Sequence, residues 1–150
     1  MLACRLCCHA GLHQLNKQHA EDIRVKKLTF WSAYTIERGL ALIFGRAPIL
    51  PDYDISTEMP EWPTELPGAG GTAFYASIQY AKLQGEIYKR LYCPEAQRSS
   101  ESIKTQHAND LAFQLIAIRV LNSLLPSSVP LLTGFRIASS TLTSCRTHKN

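Results

Sequence analysis

The segment from Glu21 to Phe44 constrains the fold most, because it is long, apolar and free of proline. Its apolar residues recur at helical spacing, in one row at 23, 30, 34, 41 and 44 and a second at 28, 31 and 42. Glu21 and Asp22 lie in the first turn, where acids complement the helix dipole. Gly45 follows the last apolar residue, the usual place for a left-handed terminating residue. The pattern predicts a helix of ~36 Å over 21–44, with a C-terminal half buried on most sides.

The segment that follows, 46–71, has the opposite character. It contains prolines at 48, 51, 60, 63 and 67 and glycines at 68, 70 and 71. Proline removes a backbone donor and disfavours helix in the residue before it. Loops of this length in a compact domain are usually functional or packed as a covering. We therefore expect an ordered loop that wraps the preceding helix.

Three further helices are predicted, over 2–15, 72–92 and 103–125, the last two ended by Pro94 and Pro126. No apolar alternation is long enough for a sheet. The fold class is therefore all-α: an irregular bundle of about four helices with a long proline-rich loop, expected to be a fragment of a larger α-helical domain. We assign 1–126 to this domain. Residues 127–150 form a polar tail without a clear period, which is compatible with disorder.

Composition excludes several classes of protein. The chain has 150 residues, 45% of them hydrophobic and 19% charged, which suits one globular domain. The net charge of +4 is scattered and lacks the basic stripe of a nucleic-acid surface. The longest apolar run is interrupted by Arg119 and is shorter than the ~20 residues that a membrane span needs. An odd number of cysteines argues against a secreted disulfide framework, so we expect an intracellular protein.

A series of residues in and beside the long helix carries a resemblance to a known family. The series comprises Lys26-Lys27, Phe30-Trp31, Tyr34, Glu37-Arg38, Gly45-Arg46, Pro48, Asp52-Tyr53-Asp54-Ile55 and Met59-Pro60, with Gly11-Leu12-His13 upstream. It resembles the middle homology region of fungal zinc-cluster transcription factors, also called the fungal-specific transcription factor domain. The likeness covers residues 8–60 and continues more weakly through the last two helices. The chain departs from the family pattern in its lysine pair, in Glu37 and in Ala47.

The resemblance implies a function for the parent protein. The parent would be nuclear and would bind DNA only through a separate upstream module of six cysteines that hold zinc, so this chain would need no cofactor. The chain would begin inside the regulatory region, whose partners are proteins or a small-molecule effector and not a membrane. If helices of the full region lie outside the chain, its uncovered apolar faces would promote oligomers or aggregates.

The charged residues of the motif have two interpretations. Glu37, Arg38, Arg46, Asp52 and Asp54 would suit an acid–base or anion site. Charges beside a buried helix must also be paired, because an unpaired buried ion costs several kcal/mol. We favour the structural interpretation, in which Arg38 or Arg46 ties the loop to the helix through Asp52 or Asp54. This would make the long helix a spine and the loop its clamp.

The aromatic residues Phe30, Trp31 and Tyr34 would line a ligand pocket or pack in the core, and we favour the core. Cys4, Cys7, Cys8 and the nearby histidines invite a zinc interpretation. However, the spacing of a finger is missing and the candidates lie on one short helix.

The stretch 67–72 lacks the Gly-Lys-Ser/Thr ending of a phosphate loop, and no nucleophile motif is present. We therefore expect no metal site and no catalysis. The alternative function is a small helical ligand-binding or enzyme-like module.

Overall fold

The computed structural model describes residues 2–15, 20–61 and 65–124, and over these ranges the regular structure is helical, without a strand. This confirms the all-α prediction. Five α-helices are present in the described ranges: α1 Leu2–His9, α2 Ala20–Ile43, α3 Gly68–Ile87, α4 Pro94–Arg98 and α5 Glu101–Leu124. The predicted tail, 127–150, lies outside the described residues.

Helix α2 matches its predicted range within one residue at each end. Its C-terminus is a Schellman motif, in which Arg46 N–H donates to Ala41 O and Gly45 N–H donates to Leu42 O, at 2.8 and 3.1 Å. Gly45 adopts φ 60°, a left-handed conformation that glycine reaches without a Cβ penalty. The predicted role of Gly45 as the terminating residue is therefore confirmed.

The predicted first helix, 2–15, is wrong at its C-terminus. Helix α1 ends at His9, and Gly11 adopts φ 70°. This left-handed residue turns the chain into a separate 3-10 turn at Leu12–Gln14. The continuous apolar spacing across Gly11 concealed the break, because a glycine is tolerated in a helical pattern and also allows the chain to leave it.

Helix α3 begins at Gly68, four residues before the predicted start at Thr72. The glycine-rich stretch is thus its first turn and not a flexible entry. A Cβ atom on Gly71 would lie 2.2 Å from the carbonyl oxygen of Leu66, so a glycine is needed at this close approach. At its other end α3 continues as a π-helical turn over Tyr88–Tyr92.

Pro94 both ends this extension, as predicted, and begins the short helix α4, which the sequence analysis missed. Proline fits the first position of a helix because its missing N–H would be unpaired there. The sulfur of Cys93 accepts from Ala96 N–H at 3.4 Å and caps α4. Ser100 precedes α5, and its hydroxyl accepts from Ile103 N–H at 3.4 Å.

The core lies where α1 and α3 pack on either side of α2 and the loop covers it, while α5 packs on α3. Its buried residues are Cys4, Cys7, Phe30, Trp31, Tyr34, Leu50, Ile78 and Ala81. Ile36, Ile43 and Phe44 are 63, 50 and 62% exposed. The expectation that the C-terminal half of α2 is buried on most sides is therefore wrong for this face. The described neighbours of α2 cover the face that carries Tyr34, Arg38 and Ala41.

No helix in the described part of the chain combines the length and the apolar character that crossing a membrane requires.

Candidate functional site

Four of the motif residues meet at one place, where the second half of α2 contacts the loop. We call this place the α2–loop junction and define it by Tyr34, Glu37 and Arg38 of α2 with Leu50 and Asp52 of the loop. The short 3-10 turn Asp52–Asp54 presents Asp52 to the helix. Residues 34, 37 and 38 lie three or four apart, so they share one face of α2.

Arg38 is the centre of the junction and is 3% exposed. Its Nη2 donates to Asp52 Oδ1 at 2.8 Å and to Leu50 O at 2.7 Å. Its guanidinium carbon lies 4.8 Å from the centre of the Tyr34 ring, within cation–π range. The hydroxyl of Tyr34 donates to the same Asp52 oxygen at 2.6 Å. One carboxylate oxygen therefore joins two side chains of α2 to the loop.

Arg38 or Arg46 was expected to join the loop to α2. The structure shows that Arg38 does so, through its ion pair with Asp52. Arg46 is exposed, and its guanidinium carbon lies 5.3 Å from the centre of the Phe44 ring. Asp54 is also exposed. The side chain of Arg46 lies beyond the end of α2, since the Schellman turn reverses the chain there.

Glu37 is 1% exposed and supports the loop one residue before Leu50. Its Oε1 accepts from Ile49 N–H at 2.8 Å, and its Oε2 lies 4.0 Å from Arg38 Nε. A buried carboxylate is tolerable when it is hydrogen-bonded and faces an opposite charge. Glu37 and Arg38 therefore both belong to the network of buried contacts that joins α2 to the loop.

The sequence analysis did not identify Gly85 of α3, which completes the junction from the other side. A Cβ atom on Gly85 would lie 2.5 Å from Arg38 Nη1, so the absence of a side chain allows α3 to approach the guanidinium. The available signal was a glycine inside an otherwise helical pattern, which often marks such an approach.

The aromatic residues of the motif lie in the core beside the junction. Phe30 and Trp31, and likewise Trp31 and Tyr34, pack edge-to-face with ring centres 5.2 and 5.1 Å apart. Trp31 Nε1 donates to Glu58 O at 3.0 Å, which fixes the far end of the loop. Pro60 is fully buried, whereas Pro48 is half-buried.

Two further attachments were not predicted. Thr57 Oγ1 donates to Leu12 O at 2.7 Å and accepts from Leu15 N–H at 3.0 Å, which joins the loop to the turn after α1. Lys27, the second of the basic pair, is 8% exposed, and its Nζ lies 3.2 Å from Glu65 Oε1. These side-chain hydrogen bonds join residues that lie 38 to 45 positions apart in the sequence. No pattern of neighbouring residues could therefore predict them.

Burial also shifts the acidity of the core thiols and phenol. It raises the pKa of Cys4 from 9.0 to about 12, and the nearby Cys8 and Glu37 act in the same direction. Burial raises the pKa of Cys7 as well. The pKa of Tyr34 lies well above its ordinary value, first because of burial and then because its hydroxyl donates to Asp52. Such thiols stay protonated and are poor nucleophiles or ligands.

No set of three or more histidine, cysteine or acidic side chains in the described ranges is grouped so that it could hold a metal ion. Cys4 and Cys7 instead pack as small apolar groups in the core.

Comparison with known proteins agrees with this architecture. The fungal specific transcription factor domain matches residues 1–119, so the chain belongs to this family, which is a class of transcription factor domain and not of enzyme. No solved structure shows a significant match.

The curated relatives are annotated regulators of transcription. An ABC-transporter-regulating transcription factor of Aspergillus oryzae is 29% identical over 111 residues, which are 66% of this chain and 12% of the relative. An uncharacterized transcriptional regulatory protein of Schizosaccharomyces pombe is 28% identical over 96 residues, 60% of this chain and 15% of the relative. A negative regulator of pleiotropic drug resistance of Candida glabrata is 29% identical over 105 residues, 65% of this chain and 10% of the relative. The chain thus spans between a tenth and a sixth of these proteins.

Proposed function

We propose that the chain is part of the regulatory region of a fungal transcription factor and that it governs transcription in the nucleus. The observation that carries this proposal is the family match over residues 1–119, together with relatives that regulate transcription. DNA binding and zinc belong, in this proposal, to a separate six-cysteine module of the parent protein. The regulatory region itself responds to protein partners or to an effector.

The geometry of the α2–loop junction supports a scaffold role for the motif. Arg38 Nη2 and Glu37 Oε1 direct their hydrogen bonds to backbone and carboxylate groups of the loop, while Arg38 Nε and Glu37 Oε2 face each other at 4.0 Å without a hydrogen bond. A preorganised network of this kind makes the loop follow α2 as one unit. In this proposal α2 is the spine of the region, and the loop is the clamp that keeps its shape during regulation.

The proposal is tested in the full-length gene of the organism that carries it. Arg38→Ala removes the centre of the junction, and Arg46→Ala removes an arginine that lies outside it. We expect the first variant to change the transcript levels of the factor's target genes and the second to leave them unchanged. Transcripts are measured at genes that chromatin immunoprecipitation assigns to the factor, after both variants are matched for protein abundance.

Equal transcript profiles for the two variants at equal abundance would contradict a regulatory role of the junction. The separate DNA-binding module has its own test. The reading frame upstream of the chain should encode six cysteines in zinc-cluster spacing, and a frame without them would contradict that part of the proposal.

A further inference from the structure

A cleft of about 430 Å³ lies between the loop, α3 and α5. This volume falls within the ~300–1,000 Å³ of small-molecule sites. Apolar residues from three elements line the cleft: Trp31 of α2, Met59 of the loop and Ile118 of α5. The cleft adjoins the α2–loop junction, because Asp52 lines it as well.

The charged groups that line the cleft differ in whether they form ion pairs. Asp52 is paired with Arg38 at 2.8 Å, and Glu86 is paired with Arg90 at 2.9 Å. Lys82 also lines the cleft, and no carboxylate of the described residues forms an ion pair with it. Arg38 also faces Glu37 at 4.0 Å, so Asp52 shares its arginine, but Lys82 is the cationic lining residue of the cleft and has no carboxylate partner among the described residues.

The contacts of Lys82 hold its ammonium at the wall of the cleft without neutralising it. Its Nζ lies 3.1 Å from Met59 Sδ and 5.3 Å from the centre of the Trp31 ring. A thioether is a weak acceptor, and an ammonium has three donors, so hydrogen-bonding capacity remains. The face of the indole ring adds a site where a cation is attracted but not paired.

From these contacts we propose that the cleft binds a small organic anion with an apolar body, such as an aryl carboxylate. The carboxylate accepts from Lys82 Nζ, and the ring lies against Met59 and Ile118. An ion pair formed in a partly buried cleft is stronger than one in water, because fewer water molecules compete for the charges. The site differs from the junction, since Arg38 keeps its own partners when the cleft is filled.

The test uses the 150-residue chain and 1-naphthoate as the probe, with 1-naphthamide as a neutral control of the same shape. The chain has two methionines, Met1 and Met59. Selective labelling of the methionine methyl groups with ¹³C therefore gives one NMR signal from the chain terminus and one from the cleft. We expect 1-naphthoate to shift the Met59 signal in a saturable way, to leave the Met1 signal in place, and to bind about tenfold more tightly than the amide.

Variants separate the charge from the shape of the site. Lys82→Gln keeps most of the stem, removes the charge and adds no methionine, and it should weaken 1-naphthoate by about tenfold without changing the affinity for the amide. Lys82→Arg should retain most of the affinity. Lys104→Gln is the control, because Lys104 belongs to α5 and pairs with Glu101 at 3.1 Å outside the cleft.

Equal affinities for the acid and the amide, no effect of Lys82→Gln, or no shift of the Met59 signal up to the solubility limit of the probe would each overturn the proposal. The outcome is independent of the proposed regulatory function. A chain that binds no anion can still govern transcription, and a chain that binds one can be tested without its target genes.

Discussion

The α2–loop junction and the outer face of α5 show opposite relations between residue type and burial. At the junction Glu37 and Arg38, which are charged, are almost completely buried. On α5 the apolar Phe113 and Ile116 are 74 and 59% exposed. The difference teaches that whether a residue of this chain is buried depends on which groups pack against it and not on its polarity.

The physical cause is the position of each helix. Helix α2 lies between α1 and α3 and under the loop, so charges on its inner face meet hydrogen-bonding groups of the loop. Helix α5 packs on α3 and its π-helical extension, and among its described residues Leu111 is the one that is buried. Phe113 and Ile116 therefore stay largely exposed, since the described neighbours of α5 pack against another part of its surface.

The largest expected effect tests whether the aromatic residues are core. Trp31→Ala should lower the free energy of unfolding by ~3–5 kcal/mol, because it removes a fully buried ring and leaves a cavity. Tyr53→Ala is the control, since Tyr53 is 88% exposed on the same loop, and it should change stability by less than ~0.5 kcal/mol. Urea unfolding measures both, and similar midpoints would contradict the core assignment.

The second largest effect on stability is expected for Arg38, in comparison with Arg46. Arg38→Ala should cost about 3 kcal/mol, because it leaves the carboxylate of Glu37 buried without its opposite charge. Arg46→Ala should cost less than ~0.5 kcal/mol.

Limited proteolysis reports on the loop directly. Cleavage within 46–61 should accelerate in the Arg38 variant and stay unchanged in the Arg46 variant. Faster cleavage in the Arg46 variant alone would reverse the assignment of the tie.

Two adjacent glycines give a sharper test of close packing. Gly71→Ala should destabilise the chain by ~1–3 kcal/mol, because the new Cβ would overlap the Leu66 carbonyl. Gly70→Ala meets open space and should stabilise α3 by up to ~1 kcal/mol through helix propensity. Thermal unfolding followed by circular dichroism should show shifts of opposite sign, and shifts of the same sign would refute the steric argument.

We expect alkaline pH to lower the free energy of unfolding through the buried thiols and phenol of the core. The folded pKa of Cys4, about 12, lies above the ordinary 9.0, so its stabilising contribution is complete below pH 9 and is lost as pH rises towards 12. The loss at pH 10 is on the order of 1 kcal/mol, and the raised pKa values of Cys7 and Tyr34 act in the same direction. Cys4→Ala should reduce the difference in stability between pH 7 and pH 10, and an unchanged difference would exclude Cys4 as its source.

The smallest effect is expected on α5. Phe113→Ala should change the free energy of unfolding by less than ~0.5 kcal/mol, whereas Phe30→Ala should cost ~3–5 kcal/mol because Phe30 is fully buried. Denaturant titration of both variants measures the contrast. Comparable losses would show that the exposed face of α5 is covered in solution. The expected self-association of the chain stays a prediction.

The features that the sequence predicted well depend on neighbours along the chain. The range of α2 follows from apolar spacing, and its termination at Gly45 follows from the need for a left-handed residue. The prolines likewise predicted the loop. The boundaries that failed lie at Gly68 and at His9, two residues before Gly11, because glycine is compatible with both helix and turn.

The sequence by itself therefore determined where helices form, where the loop runs and which charged and aromatic residues belong to the motif. Only the tertiary structure decided that Arg38 rather than Arg46 holds the loop, that Gly85 admits the guanidinium, and that Ile36 faces outward. Local conformation depends on residues a few positions apart, which the chain order displays. Which residues pair and which are buried depends on groups that the fold brings together from distant positions. The order of residues along the chain does not show which groups these are.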